Sequence, residues 1–313
     1  MSRQTLVVAV KALVSIALVS FLVHRVEFGP LLRRFEDMQL GWLAIAIAVF
    51  IGQLLLTGWR YALIGRAIDA ALPTKEAIRL VLIGQFFSQT LPSAIGGDAV
   101  RAFMTTRHGI RWGRAVSAVL CDRGVAMVVL MVLSTLTIPI FLARISDPLV
   151  RLSTPVPAVL VLVGFGAMLL GNEARLARIA RWRIAKPFCV LIADLRRIVF
   201  GSPESRTIIP LSIVVHIGVI ASIWLLGKAL RLDIAFLDCL VLVPPIVVAT
   251  LVPISIAGWG IREGAMVFGF ALVGIAEADA LALSVATGLA QIVAGVPGGL
   301  LWLLRGRPAT TPG

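Results

Sequence analysis

The chain has 313 residues, 59% of them hydrophobic and 14% charged, with a net charge of +13 at neutral pH. Soluble domains run at about 45–50% apolar and about 25% charged usage, and a mean hydropathy of +1.00 exceeds what the interior of a soluble fold of this size absorbs. The composition excludes a soluble globule and implies an all-α integral membrane protein, a polytopic helix bundle. Its long blocks are apolar all round rather than alternating, which excludes a β-barrel.

A bilayer-spanning helix needs about 20 mostly apolar residues in succession. The first block, Leu6–Val23, is read as a span rather than a signal peptide, because no small-residue cleavage site follows and His24-Arg25-Val26-Glu27 comes next. Trp42–Gly58 is the second. Ala77–Leu91 is short, carries Arg79, Gln85 and Gln89, and stops at Pro92-Ser93-Ala94-Ile95-Gly96-Gly97. Ala115–Leu142, interrupted only by Asp122-Arg123, and Pro155–Gly171 are the next two spans. A polar loop, 172–206, holds eight basic residues, Arg175, Arg178, Arg181, Arg183, Lys186, Arg196, Arg197 and Arg206. Ile208–Gly227 follows, then Cys239–Ile256, broken by Pro244, Pro245 and Pro253 and followed by Gly258 and Gly260; Ala280–Leu304 closes the series. The prediction is about six spanning helices plus two re-entrant or broken helical hairpins, with kinked full spans as the alternative for the two broken segments.

The broken segments match. A shift of 161 positions places Pro92 on Pro253, Ile95 on Ile256, Gly97 on Gly258 and Arg101 on Arg262, and a shift of 164 places Gly124 on Gly288. The chain thus reads as one transmembrane domain, 1–313, with repeat one at about 41–142, the basic loop 172–206, and repeat two at about 207–305. With both broken segments re-entrant, the predicted inside segments carry 20 basic residues and the outside loops 7. That asymmetry puts the N- and C-termini in the cytoplasm and makes the two repeats inverted. Transporters built from inverted repeats bind substrate where their interrupted helices meet.

Charged side chains inside apolar segments cost about 2.5–3.5 kcal/mol each on insertion scales and normally face a cavity or a partner. The candidates for lipid headgroup binding and translocation are Gly97, Asp98, Arg101, Asp122, Arg123, Arg262 and Glu263; the turn or hinge candidates are Pro92, Gly96, Pro253, Gly258 and Gly260. Asp98 and Arg101 are three apart, on one face of a helix, and the glycines before them allow close backbone approach. A guanidinium donates two parallel hydrogen bonds to one phosphate group, so these arginines suit a phosphate-bearing headgroup. Structural charge pairing is the competing explanation. Arg262 and Glu263, adjacent in sequence, are expected on different faces of a helix with partners in the other repeat.

Gln85, Ser88 and Gln89 either line the first hairpin or bond neighbouring helices. His216 is expected to be a hydrogen-bonded packing residue. Cys121, Cys189 and Cys239 have neither metal nor redox spacing and read as helix filler. Trp42, Trp59, Trp112 and Trp302, near span ends, read as interfacial anchors. No Gly-x-x-x-x-Gly-Lys-Ser/Thr loop or Gly-x-Ser-x-Gly elbow occurs, so no catalytic residue, metal or cofactor is assigned.

Gly84-Gln85-Phe86-Phe87, Leu91-Pro92, Gly96-Gly97-Asp98-x-x-Arg101, Asp122-Arg123 and Pro253-Ile254-Ser255-Ile256-x-Gly258-x-Gly260-x-Arg262-Glu263-Gly264, in this order, resemble the lysylphosphatidylglycerol synthase transmembrane region family, also called flippase-like membrane proteins. The likeness runs over roughly residues 5–305. It implies lipid handling in the cytoplasmic (inner) membrane. The best-understood members join such a bundle to an aminoacyl-transferase that makes lysyl-phosphatidylglycerol, and the bundle moves that lipid. This chain ends soon after Arg307, so a stand-alone bundle without the transferase is expected. Stand-alone relatives are associated with envelope lipids, including polyprenyl-linked sugars and hopanoids. Gln85 and Ser88 depart from the asparagine often seen in the family's first hairpin.

The functional expectation is a non-enzymatic, flippase-like transporter of a phosphate-bearing lipid, with anionic phospholipids or polyprenyl-phosphate-linked lipids and the bilayer itself as partners. Nucleic acid is not expected, since the positive charge gathers in one loop beside a membrane. Two alternatives are a non-catalytic partner of an envelope-lipid biosynthetic enzyme, docked through loop 172–206, and a membrane-embedded transferase, for which no nucleophile with an adjacent base is visible.

Overall fold

A computed structural model describes residues 34–91, 96–144, 151, 155–171, 186–250 and 260–304. The predicted span Leu6–Val23, the turn residues Pro92, Pro253 and Gly258, and much of the basic loop lie outside the described residues. The described residues are helical, with no strand among them. The elements are α1 (Leu40–Ala67), α2 (Thr74–Thr90), α3 (Gly96–Thr106), α4 (Trp112–Leu136), α5 (Ile138–Arg144), α6 (Pro155–Leu170), α7 (Lys186–Arg196, running into a π-helical turn, Arg197–Gly201), α8 (Ser205–Ala229), α9 (Phe236–Thr250), α10 (Ile261–Ala271) and α11 (Glu277–Leu303).

Among these, α1, α4, α8 and α11 are long and apolar enough to cross a membrane. Each contains one of the predicted spans or most of it, with shifted ends. The extension of α1 past Gly58 to Ala67 is a correction, because it places Arg60 inside the bundle rather than in a cytoplasmic loop. The helix continues because Asp122 meets the Arg60 charge. Taking Arg60 and the equally buried Arg101 out of the 20 inside charges leaves 18 against 7, so the asymmetry stands. The predicted span Ala115–Leu142 divides at Thr137, where Pro139 supplies no N–H to the Thr135 carbonyl four residues before it. The predicted span Pro155–Gly171 forms a 16-residue helix, about 24 Å long at 1.5 Å per residue. Part of the basic loop is helical: Leu195 and Ile198, on α7 and its π-turn, are buried, and α7 packs against α4.

The two broken segments fold back on themselves. In the first, Leu91 lies against Gly96, Ser88 against Gly97, and Gly84 against Arg101, so α3 returns antiparallel along α2. A continuous kinked helix would hold Gly84 and Arg101 about 25 Å apart. A Cβ on Gly97 would sit 2.0 Å from Ser88 Oγ and 2.1 Å from the Gly84 carbonyl oxygen, which is why no side chain fits at this crossing. In the second, Gly269 of α10 packs on Ile246 of α9, again a return. Pro244 and Pro245 do not break α9, contrary to the prediction; both stay inside the helix, since proline's fixed φ is helical and its cost is the missing N–H.

Each half therefore reads long helix, short hairpin, long helix: α1, α2–α3, α4, then α8, α9–α10, α11. Contacts between the halves correspond as well, α1 on α8, α2 on α11 and α9 on α4. Helices α1 and α8, the first of each half, run antiparallel: the Gln39 N–H donates to the Ala229 carbonyl at 2.8 Å, Gln53 lies against Gly218, and Arg60 reaches Ser212. One contiguous apolar core takes residues from both halves.

Candidate functional site

Three helices of the first half aim charge at one point. Arg60 of α1 donates from Nε to Asp122 Oδ1 of α4 at 2.9 Å and from Nη1 to Ser212 Oγ of α8 at 3.3 Å. Arg101 of α3 donates from Nη1 to Asp122 Oδ2 at 3.0 Å. All three charged side chains are buried, at 3%, 5% and 3% exposure for Arg60, Arg101 and Asp122, so Asp122 is the shared counter-charge for two buried guanidiniums. The Arg101 guanidinium also stacks on the Tyr61 ring, 4.5 Å from its centroid, a favourable cation–π placement. The Tyr61 hydroxyl shares a 3.0 Å hydrogen bond with Thr105, which fixes the ring. Two donor atoms of Arg101, Nε and Nη2, are buried without a hydrogen-bond partner among the described residues.

Asp98, in the first turn of α3, sits between two arginines. Arg123 donates to it from Nε at 2.8 Å and from Nη2 at 3.2 Å, and Arg101 Nη2 lies 3.5 Å away in an ion pair. The spacing of Asp98 and Arg101 on one helical face thus gives the contact it predicts. Unlike the inner pair, Arg123 leaves 51% of its side chain exposed. Three guanidiniums against two carboxylates leave the cluster one net positive charge.

Two adjoining chambers border this cluster. The smaller, about 220 Å³, is lined by Arg60, Arg101, Asp122, Arg123 and His216 among others. The larger, about 710 Å³, lies where the hairpins converge: Ser88 and Gln89 from the end of α2 and Thr250 from the end of α9 share its wall with Asp98 and Arg123. Gln53, Gln85 and Asp98 line both chambers. The exposed Trp112 and Leu120 of α4 also line the larger one, so it opens beside α4 toward the surface of the bundle. His216 donates from Nε2 to the Ala126 carbonyl at 2.9 Å, the packing role predicted for it, while facing the smaller chamber.

The second half builds a different cluster. Arg262 donates to Glu263 Oε1 from Nη2 at 2.7 Å and from Nε at 3.2 Å. Ser284 of α11 donates to the same oxygen at 3.1 Å, and Glu263 Oε2 accepts from the Gly260 N–H. This corrects the expectation that adjacency puts Arg262 and Glu263 on separate faces with partners in the other half. Glu263 folds back to cap its own helix, which brings its carboxylate beside Arg262. Gly260 makes that start with φ +92°, a value that favours glycine. It also sets the register, leaving Arg262 in the first turn of α10 whereas the matched Arg101 lies in the second turn of α3. Neither chamber is lined by Arg262 or Glu263. Among the described residues no group of three His, Cys, Asp or Glu side chains is placed to hold a metal.

Sequence reasoning overlooks Arg60, Tyr61, Thr105 and Ser212. The one available signal is that Arg60 directly follows an apolar run and is followed by Tyr61-Ala62-Leu63-Ile64, which marks a charge inside a helix rather than after it.

The sequence model of the family described as the lysylphosphatidylglycerol synthase TM region matches residues 8–299, and the chain belongs to that family. No curated protein and no solved structure matches it significantly.

Proposed function

We propose that this family member is a flippase-like transporter that carries a phosphate-bearing lipid headgroup across the cytoplasmic membrane. The observation that supports this best is a net-positive arginine cluster beside a chamber lined by the ends of α2 and α9. The exposed Arg123 is the first contact for phosphate, through two parallel N–H donors. Arg101, with donors unspent, receives the charge more deeply, and Asp98 exchanges between the two arginines as the phosphate moves. Asp122 and Arg60 hold Arg101 in place and join the cluster to the second half through Ser212. Arg262 and Glu263 set the start of α10, which packs on α9, and the last residue of α9, Thr250, lines the same chamber. The acyl or prenyl chains stay in the bilayer beside α4 while the headgroup passes, which spares the headgroup direct transfer through hydrocarbon.

The charge asymmetry of the loops supports cytoplasmic termini. Transport is tested in vesicles reconstituted with the pure chain, by following the leaflet of labelled phospholipids and polyprenyl phosphates. Translocation is expected for at least one phosphate lipid, and Arg123→Gln should slow it about tenfold or more while the thermal unfolding midpoint stays unchanged. Absence of movement for every phosphate lipid, together with unchanged envelope lipids in cells carrying Arg101→Ala, would reject the transport reading.

A further inference from the structure

The larger chamber holds more hydrogen-bonding capacity than the charge cluster uses. Four glutamines from three helices, Gln53 of α1, Gln85 and Gln89 of α2 and Gln291 of α11, line it and are half-buried. Their carboxamides have no hydrogen-bond partner among the described residues. In a mostly apolar chamber these amides keep their hydrogen-bonding capacity for whatever enters, and each carboxamide offers both an acceptor and two donors. Four of these around one cavity, with Ser88 beside them, match a group that donates and accepts at many points without charge.

The charges point the same way. Among the described residues the chamber's one lining carboxylate, Asp98, is already held by Arg123 and Arg101, so an ammonium entering it would find no free counter-charge there and would meet a site that is net positive. A phosphate meets Arg123 at the edge of the same chamber. We propose that the headgroup recognised here is an uncharged polyhydroxyl group, a glycerol or a sugar-like ring, attached to the phosphate, and that Gln53, Gln85, Gln89 and Gln291 select it against amine-bearing headgroups. This rests on the lipid-handling function proposed above, but it concerns which headgroup is bound, and binding is measurable without transport.

The purified full chain in detergent is titrated with lipids of identical acyl chains, and retention is read by native mass spectrometry. The panel is phosphatidylinositol, phosphatidylglycerol, phosphatidylethanolamine and phosphatidic acid. The two hydroxyl-bearing lipids should be retained at least tenfold better than the other two, and their mutual order distinguishes a ring from a glycerol. Combining Gln85→Ala with Gln291→Ala should lower retention of the preferred lipid by about tenfold, the effect of two hydrogen bonds, and leave phosphatidic acid unchanged. Equal retention of all four, or preference for phosphatidylethanolamine, overturns the inference on the unaltered chain, whether or not the double variant folds. The same lipids are then followed in vesicles. Selective retention without movement of these lipids or of polyprenyl phosphates, with envelope lipids unchanged by Arg101→Ala, sinks the transport proposal and leaves this one standing, whereas equally fast movement of phosphatidylethanolamine and phosphatidylinositol overturns this one and leaves transport standing.

Discussion

Replacing Asp122 by asparagine removes the negative charge that two buried arginines share. The carboxylate is 2.9 Å from Arg60 Nε and 3.0 Å from Arg101 Nη1, and an effective dielectric of about 20 gives each such pair roughly 4 kcal/mol of attraction. Most of that offsets the desolvation of ions held at 4–6% side-chain exposure. What Asp122→Asn adds is the penalty of leaving Arg60 and Arg101 buried together without their anion, about 3–5 kcal/mol for breaking a buried pair. At roughly 2–4 °C per kcal/mol for a chain of this order of size, the unfolding midpoint in detergent, followed by tryptophan fluorescence, should fall by about 10 °C. Arg60→Gln combined with Asp122→Asn returns the cluster to its original net charge and should recover about half of that loss. A midpoint for Asp122→Asn within about 2 °C of the parent, well below the shift expected from such a break, would mean that the carboxylate is not the counter-charge described here.

Gly97→Ala forces a Cβ into Ser88 and the Gly84 carbonyl and should cost about 1–3 kcal/mol, whereas Gly113→Ala, with nothing within 4 Å of the added carbon, should be neutral or slightly stabilising; paired thermal melts decide. Asp194 accepts from Arg114 at 3.0 Å and from Ser117 at 2.5 Å, so Asp194→Asn should loosen α7 from α4 and speed hydrogen exchange across residues 186–196 without altering α8. Glu263→Gln weakens both the cap on α10 and the Arg262 pair, a loss of about 2–4 kcal/mol, readable as a lower melting midpoint. The antiparallel course of α1 and α8 predicts that cysteines at Gln39 and Ala229 cross-link in a Cys189→Ser background, and that cysteines at Gln39 and Ser212 do not.

The order of the halves was legible because it is written in local chemistry. Helix α2 ends at Thr90, just ahead of Pro92, and α9 at Thr250, just ahead of Pro253, and apolar block length separates the four long helices from the hairpins. Asp98 with Arg101 could be paired by spacing alone. The Arg262–Glu263 contact could not, because it depends on a side chain doubling back over its own helix start.

Sequence by itself determined that this chain lives in a membrane, that it repeats a broken-helix unit, and that a few charges must face inward, since hydropathy and helix breaking act over a handful of neighbouring residues. Tertiary structure alone decided which charges meet. Arg60, Asp122 and Ser212 lie 62 and 90 positions apart along the chain, and only the packing of α1 between α4 and an antiparallel α8 closes those distances. The gathering of four glutamines from α1, α2 and α11 into one chamber has the same origin, for a carboxamide on an apolar helix carries no mark of the cavity it will face.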